Sequence, residues 1–205
     1  MGRIIGVLGY QGDVAEHVTA LTVTLKKLKK NFEVKVIKKV DDLKNICALT
    51  IPGGESTTIS RLIINHGLYE PIRKIAKEGI PILGTCAGCI LLAKKIVDKD
   101  SRVKPLEIMN IQVKRNVYGR QRESFEIPLN VSEFTTRYSL PVTREFNAVF
   151  IRAPAITRVW GDCKVLAKVD DNIVIARQDN LFALTFHPEL TEDTLLFEWF
   201  LNEVM

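Results

Sequence analysis

A thiol becomes a strong nucleophile once ionised, and Cys86 stands where the chain would expose one. Gly84-Thr85-Cys86-Ala87-Gly88 has the form Gly-x-Cys-x-Gly. The apolar run Ile80-Pro81-Ile82-Leu83 leads into it, and a Leu- and Ile-rich stretch from Ala87 to Ile96 leads out. Between a strand and a helix this is the cysteine form of the nucleophile elbow, whose small flanking residues permit the turn that presents the central side chain. The N–H groups that open a helix favour thiolate there. The plainer possibility is a structural cysteine buried in a glycine-flanked turn.

Such a nucleophile needs a base, and the base an orienting group. The chain has three histidines. His17 lies within an amphipathic helical pattern and His66 precedes Gly67 at a helix end, so both read as structural. His187 closes the run Leu181-Phe182-Ala183-Leu184-Thr185-Phe186 and belongs to His187-Pro188-Glu189. Residues two apart on extended chain face the same side, and Pro188 biases His187 towards that geometry. Glu189 can then fix the imidazole tautomer while His187 carries the proton. His-x-Glu alone is a weak pattern; with the cysteine turn it is a strong one.

Pro52-Gly53-Gly54-Glu55-Ser56-Thr57-Thr58 supplies a third part. It follows another apolar run, at the carboxyl edge where open α/β sheets bind ligands. The amides of Gly54 and Ala87 can together form an oxyanion hole. The plainer possibility here is a helix start capped by Ser56 or Thr57. The Gly-Lys-Ser/Thr ending of a phosphate-binding loop is missing. The chemistry these parts allow is acyl transfer through a thioester.

The elements that must hold these residues alternate. Arg3–Gly9, Glu33–Ile37, Cys47–Ile51 and Ile80–Gly84 read as strands. Helical patterns span Val14–Lys30, Thr58–Ile75 (split near Gly67 and Pro71) and Ala87–Ile96. Continuous apolar strands alternating with helices predict a parallel sheet covered on both faces. In the second half Ile108–Val113, Ser124–Val131, Ala148–Ile151, Val165–Val169, Ile173–Arg177 and Leu181–Phe186 read as strands with antiparallel pairings. Thr191–Val204 closes as a helix with Glu192 and Asp193 in its first turn. The expectation is a single α/β domain over residues 1–205, a three-layer, flavodoxin-like sandwich with a mostly parallel central sheet and β-rich antiparallel additions.

The 205 residues are 46% hydrophobic and 26% charged, which rules out disorder, collagen and coiled coil. No apolar run approaches the roughly 18 residues of a membrane span. The Met1–Gly6 start resembles neither a signal peptide nor a myristoylation site, so the expected compartment is the cytoplasm. There the four cysteines are reduced thiols, and the sequon Asn130-Val131-Ser132 is a chance match. The net charge of +5 owes much to Lys26, Lys27, Lys29, Lys30, Lys35, Lys38, Lys39 and Lys44. That stretch lacks Arg and has one interleaved aromatic, Phe32, so it reads as a solvated or partner-docking surface; no nucleic acid is expected as partner.

These motifs resemble a known family. Gly6-Val7-Leu8-Gly9-Tyr10-Gln11-Gly12, the Pro-Gly-Gly-Glu-Ser-Thr-Thr loop, Gly-Thr-Cys-Ala-Gly, Phe150-Ile151-Arg152-Ala153-Pro154 and Phe186-His187-Pro188-Glu189-Leu190 are similar to the glutaminase subunits of pyridoxal 5′-phosphate synthases, among the triad (class I) glutamine amidotransferases. Lys114-Arg115-Asn116 and Gly119-Arg120-Gln121 resemble the same branch. The resemblance implies that Cys86 attacks L-glutamine, His187 protonates the ammonia and Glu189 orients His187. It implies glutamine contacts at Gly54, Glu55, Ser56, Arg115, Ile151 and Arg152, with Gln11 nearby. An Arg suits the α-carboxylate of glutamine. No metal and no cofactor are implied. The implied partner is a synthase subunit that takes the ammonia for vitamin B6 synthesis and activates an otherwise slow glutaminase.

Two features depart from the family pattern: the Lys-rich segment is long, and Cys89 replaces an apolar residue. The latter creates Cys86-x-x-Cys89, the pattern of a thiol–disulfide oxidoreductase. That reading gives His187 and the Gly-Gly-Glu-Ser loop nothing to do. The same residues would also suit the glutaminase of another class I amidotransferase complex, a cysteine amidase or peptidase on the same scaffold, or a non-catalytic binding module.

Overall fold

The computed structural model describes residues 3–98, 102–117, 124–131 and 145–204. Met1, Gly2, Gly119, Arg120, Gln121 and Ser132 lie outside the described residues.

Five parallel strands form the centre of the molecule. They are β1 (Ile4–Leu8), β2 (Glu33–Ile37), β3 (Ile46–Ile51), β4 (Ile82–Thr85) and β12 (Leu181–Leu184), ordered β2-β1-β3-β4-β12. Beyond β12 the sheet continues through β11 (Asn172–Gln178), β9 (Ala155–Val159), β6 (Met109–Lys114) and β5 (Ala93–Ile96), with β10 (Lys164–Val169) also on β11. The pairings of β11 and the β6–β9 pair are antiparallel, while β5 and β6 run parallel. A separate ribbon pairs β7 (Ser124–Asn130) with β8 (Glu145–Ile151).

Side chains that alternate along buried strands feed two cores, one on each face of the sheet. On one face Leu8, Leu49 and Ile82 meet α2 (Ser56–Asn65), α3 (Tyr69–Lys77) and α4 (Ala87–Leu92) through Ile59, Ile63, Ile72 and Leu91. On the other, Ile5, Val7 and Leu83 meet α1 (Val14–Lys27), α5 (Leu195–Val204) and the β7–β8 ribbon through Leu21, Phe197, Phe200 and Phe150. This is the expected sandwich. Part of the Lys-rich segment is paired within the chain: Lys27 with Glu198 at 2.6 Å, Lys35 with Asp42 at 3.1 Å and Lys44 with Asp41 at 2.8 Å.

Several elements differ from the sequence reading. The helix expected over Ala87–Ile96 stops at Leu92, because the backbone turns extended at Ala93 and the next residues pair with β6. β9 was not expected; it fills the gap between β11 and β6. Pro71 does not separate helices but sits in the first turn of α3, where its missing N–H has no intrahelical partner to lose. Glu192 and Asp193 precede the last helix, and Asp193 accepts the N–H of Leu195 at 3.0 Å.

Candidate active site

Cys86 follows the last residue of β4 with φ 47° and ψ −102°, a strained position for a residue with a side chain. Its N–H donates to Leu184 O at 2.9 Å, which pins the turn to β12. Gly88 permits the close approach of α4 to β3, because a Cβ there would collide with Ile51 O. The Sγ lies 3.9 Å from Ile151 O, the outer limit of a weak S–H contact. The expected elbow is therefore present, although its helix has only six residues.

The neighbouring strand leads to His187. Leu184 pairs with Thr85, so the chain leaving β12 emerges beside the cysteine. The N–H of His187 donates to Val149 O at 2.8 Å, fixing it against β8. Its Nδ1 lies 2.8 Å from Glu189 Oε1 and 3.2 Å from Asp13 Oδ2. Pro188–Leu190 form a 3-10 turn, so the turn, not an extended strand, brings Glu189 back under the imidazole. His187 and Glu189 are both buried. Burial alone would lower the His187 pKa, but hydrogen bonds with Asp13, Cys86 and Glu189 outweigh it and hold the imidazolium far above the ordinary value of 6.5.

Asp13 is a functional candidate that the sequence reading missed. It precedes α1, where Asp is commonly a helix cap, yet its side chain makes no cap bond and turns to His187 instead. That hydrogen bond keeps the Asp13 carboxyl below its ordinary range. Asp13, His187 and Glu189 together hold donor atoms within 4.8 Å of one another, the spacing of a cation site. One imidazole N–H shared by two carboxylates already accounts for that cluster.

A cavity of about 420 Å³ opens over the cysteine. Gln11, Gly54, Glu55 and Ser56 line it from the β1 and β3 loops, Cys86, Ala87 and His187 from the β4 and β12 ends, and Arg115, Ile151 and Arg152 from the β-rich half. Every glutamine-contact candidate from the sequence thus borders one space, with Glu189 behind His187. Gly53 packs directly on the base: a Cβ there would stand 2.5 Å from His187 Cε1.

The cap of α2 is Glu55, not Ser56 or Thr57. Its carboxylate accepts the N–H of Thr58 at 2.8 Å, the N–H of Thr57 at 3.2 Å and the Thr57 hydroxyl. Burial opposes ionisation, but these hydrogen bonds prevail and bring its pKa down to about 2. The backbone N–H of Glu55 donates to Gln11 Oε1 at 2.6 Å. Arg115 Nη2 lies 3.9 Å from Glu55 Oε1, so the cavity wall carries both charges side by side. Cys89, by contrast, is fully buried in the core, and burial drives its thiol pKa strongly upward. A resolving thiol must ionise, so Cys86-x-x-Cys89 lacks the second half of a redox pair.

Residues 7–205 match the model of the SNO glutamine amidotransferase family. The "Pyridoxal 5'-phosphate synthase subunit PdxT" of Pyrococcus abyssi is 45% identical over 202 residues, spanning 98% of this chain and 99% of that protein. The protein of the same name from Archaeoglobus fulgidus is 47% identical over 201 residues, with 97% and 96% covered. A crystal structure described as a glutamine amidotransferase superposes with a TM-score of 0.84 at 41% identity, covering 98% of both chains. PurLQS from Thermotoga maritima, at 17% identity and a TM-score of 0.70 over 100% of both chains, shares the fold.

Proposed function

Because the chain belongs to the SNO glutamine amidotransferase family, we propose that it is the glutaminase subunit of a pyridoxal 5′-phosphate synthase, hydrolysing L-glutamine to L-glutamate and ammonia for a synthase subunit. One observation carries the chemistry: Cys86 and His187 border one cavity, and His187 Nδ1 holds Glu189 Oε1 at 2.8 Å.

In this reading Cys86 thiolate adds to the side-chain amide carbon of glutamine, and the carbonyl oxygen takes up the negative charge. The amides of Gly54 and Ala87 receive that oxyanion; one such donor is worth on the order of 3 kcal/mol of barrier. His187 imidazolium gives its proton to the amide nitrogen, the C–N bond breaks, and ammonia leaves a γ-glutamyl thioester. Neutral His187 then takes a proton from water as the oxygen adds to the thioester. The C–S bond breaks, thiolate and imidazolium are restored, and glutamate departs. Glu189 and Asp13 stabilise the imidazolium in both halves of the cycle.

The zwitterionic end of the substrate finds complementary groups in the cavity. Arg115 and Arg152 suit the α-carboxylate, and Glu55 suits the α-ammonium. Gln11, Ser56 and Ile151 complete the wall. No helix among the described residues is long and apolar enough to cross a membrane, and the four free cysteines suit the reducing cytoplasm.

Ammonia release from L-glutamine, measured with and without the synthase subunit, tests this reading. The wild type is expected to release ammonia and glutamate in equal amounts, faster with the partner present, and Cys86→Ala to release none. Activity of Cys86→Ala equal to wild type, or hydrolysis of unrelated amides in preference to glutamine, would refute it.

A further inference from the structure

A second cavity, of about 620 Å³, shares Arg115 with the one over Cys86. Helix α2 gives it one wall: Thr57, Arg61, Ile64 and Asn65 recur at helical spacing, so they share a face, and all four line the space. Arg102 comes from the chain before β6 and Arg115 from the chain after it. Both approaches are anchored. Ser60 of α2 donates its hydroxyl to Lys104 O at 2.8 Å and accepts the N–H of Lys104 at 3.0 Å, which ties the segment of Arg102 to the helix. The N–H of Arg115 donates to Asp98 Oδ2 at 3.1 Å.

The charges around this cavity are one-sided. Among the described residues three guanidinium groups line it and no Asp or Glu does. Arginines elsewhere meet carboxylates: Arg73 lies 3.6 Å from Glu70 and from Glu107, and Arg177 Nη2 holds Glu203 Oε2 at 2.7 Å. No carboxylate among the described residues pairs with Arg61 or Arg102, which are exposed and reach the cavity from two sides. Arg115 has Glu55 at 3.9 Å, but that carboxylate is already engaged by the N–H groups of Thr57 and Thr58. Like charges gathered in this way repel one another, and an anion among them relieves the repulsion.

We propose that this cavity binds the phosphate group of a small monoester, and that the bound anion draws Arg115 away from the glutamine site. A phosphate monoester carries about −1.5 to −2 charges at neutral pH and three strong acceptor oxygens. Guanidinium groups grip such oxygens in pairs, and donors converging from three chain segments suit a tetrahedral group better than a planar carboxylate. The volume exceeds that of a phosphate, and exposed Ile64 and Asn65 leave room for the esterified portion. Because Arg115 borders both cavities, an anion that engages it competes with the α-carboxylate of glutamine. The coupling is reciprocal, so glutamine weakens phosphate binding by the same factor. That coupling rests on the glutaminase reading; the binding site does not.

Calorimetric titration of the full chain with glycerol 3-phosphate, inorganic phosphate and glycerol, at constant ionic strength, tests the site. Saturable binding of glycerol 3-phosphate and none of glycerol is expected. An Arg61→Gln/Arg102→Gln double variant should bind the ester on the order of tenfold more weakly, while keeping the wild-type Tm and, without phosphate, the wild-type KM for glutamine. With the synthase subunit present, saturating glycerol 3-phosphate should raise that KM about fivefold in the wild type and leave it unmoved in the double variant at the same concentration. Equal affinity of the wild type and the folded double variant, or no binding of the ester, would overturn the site. Inorganic phosphate bound as tightly as the ester would overturn the monoester and make the free ion the guest. A wild-type KM that stays constant at saturation would overturn the competition for Arg115. A wild type that binds the ester yet releases no ammonia would defeat the glutaminase reading and leave the site standing.

Discussion

Two carboxylates converge on one imidazole nitrogen, and the sign of the effect follows from their charge. The His187 pKa is raised in the folded protein, so its imidazolium contributes stability that is fully present below about 6.5 and is lost as pH rises through the folded value. In the proposed mechanism the same imidazolium protonates the departing amide nitrogen. Asp13→Asn removes the largest of the interactions that raise this pKa. The alkaline fall of kcat should therefore move to lower pH by about a unit or more, which a pH–rate profile measures. At Gly53 the prediction is steric. Gly53→Ala brings a methyl carbon within 2.5 Å of His187 Cε1 and 2.8 Å of Asp13 Oδ2. It should reduce kcat on the order of 100-fold by displacing the base, with near-normal circular dichroism showing that the fold survives. The Cys86 turn and the pairing of His187 with Glu189 were legible in the sequence because each stands in a compact local motif. The contact of Asp13 with His187 was not, since it joins residues more than 170 positions apart.

Helix α2 begins in the cavity wall, so one residue, Glu55, both caps the helix and lines the cavity. Glu55 caps the helix and is depressed to a pKa of about 2. A depressed carboxyl contributes stability present above its unfolded pKa of about 4.5 and lost as pH falls towards 2. Replacing a capping side chain costs on the order of 1 kcal/mol; for this half-exposed group Glu55→Gln should cost no more. Thermal melts should show a lower Tm for Glu55→Gln at pH 7 and convergence with wild type near pH 2. Most parallel strands were legible as apolar runs, because burial on both faces leaves little room for polar residues. Ala93-Lys94-Lys95-Ile96 was not: its composition suits a helix, and pairing with Met109–Val113 overrides that preference. β9 was missed because Ala155–Val159 is short and carries Arg158 among its apolar residues, so it gives no clean alternation.

The assembled molecule joins its two halves through the sheet and through α5. Trp199 is buried edge-on against Phe182 of β12, with centroids 5.0 Å apart. Lys27 of α1 meets Glu198 of α5 nearby. Trp199→Ala should remove about 3–5 kcal/mol of stability, read as a lower denaturant midpoint. Molecules still folded should keep near-normal turnover, since Trp199 does not line the cavity. The overall sandwich was legible from alternation, but not the place of β12, which inserts a late segment beside an early one. That insertion has an evolutionary corollary. Cys86 and His187 follow the ends of two paired neighbouring strands, whereas Arg115 follows β6 and Arg152 follows the β7–β8 ribbon. Natural variation can therefore lengthen, shorten or recharge those outer segments without respacing Cys86 and His187.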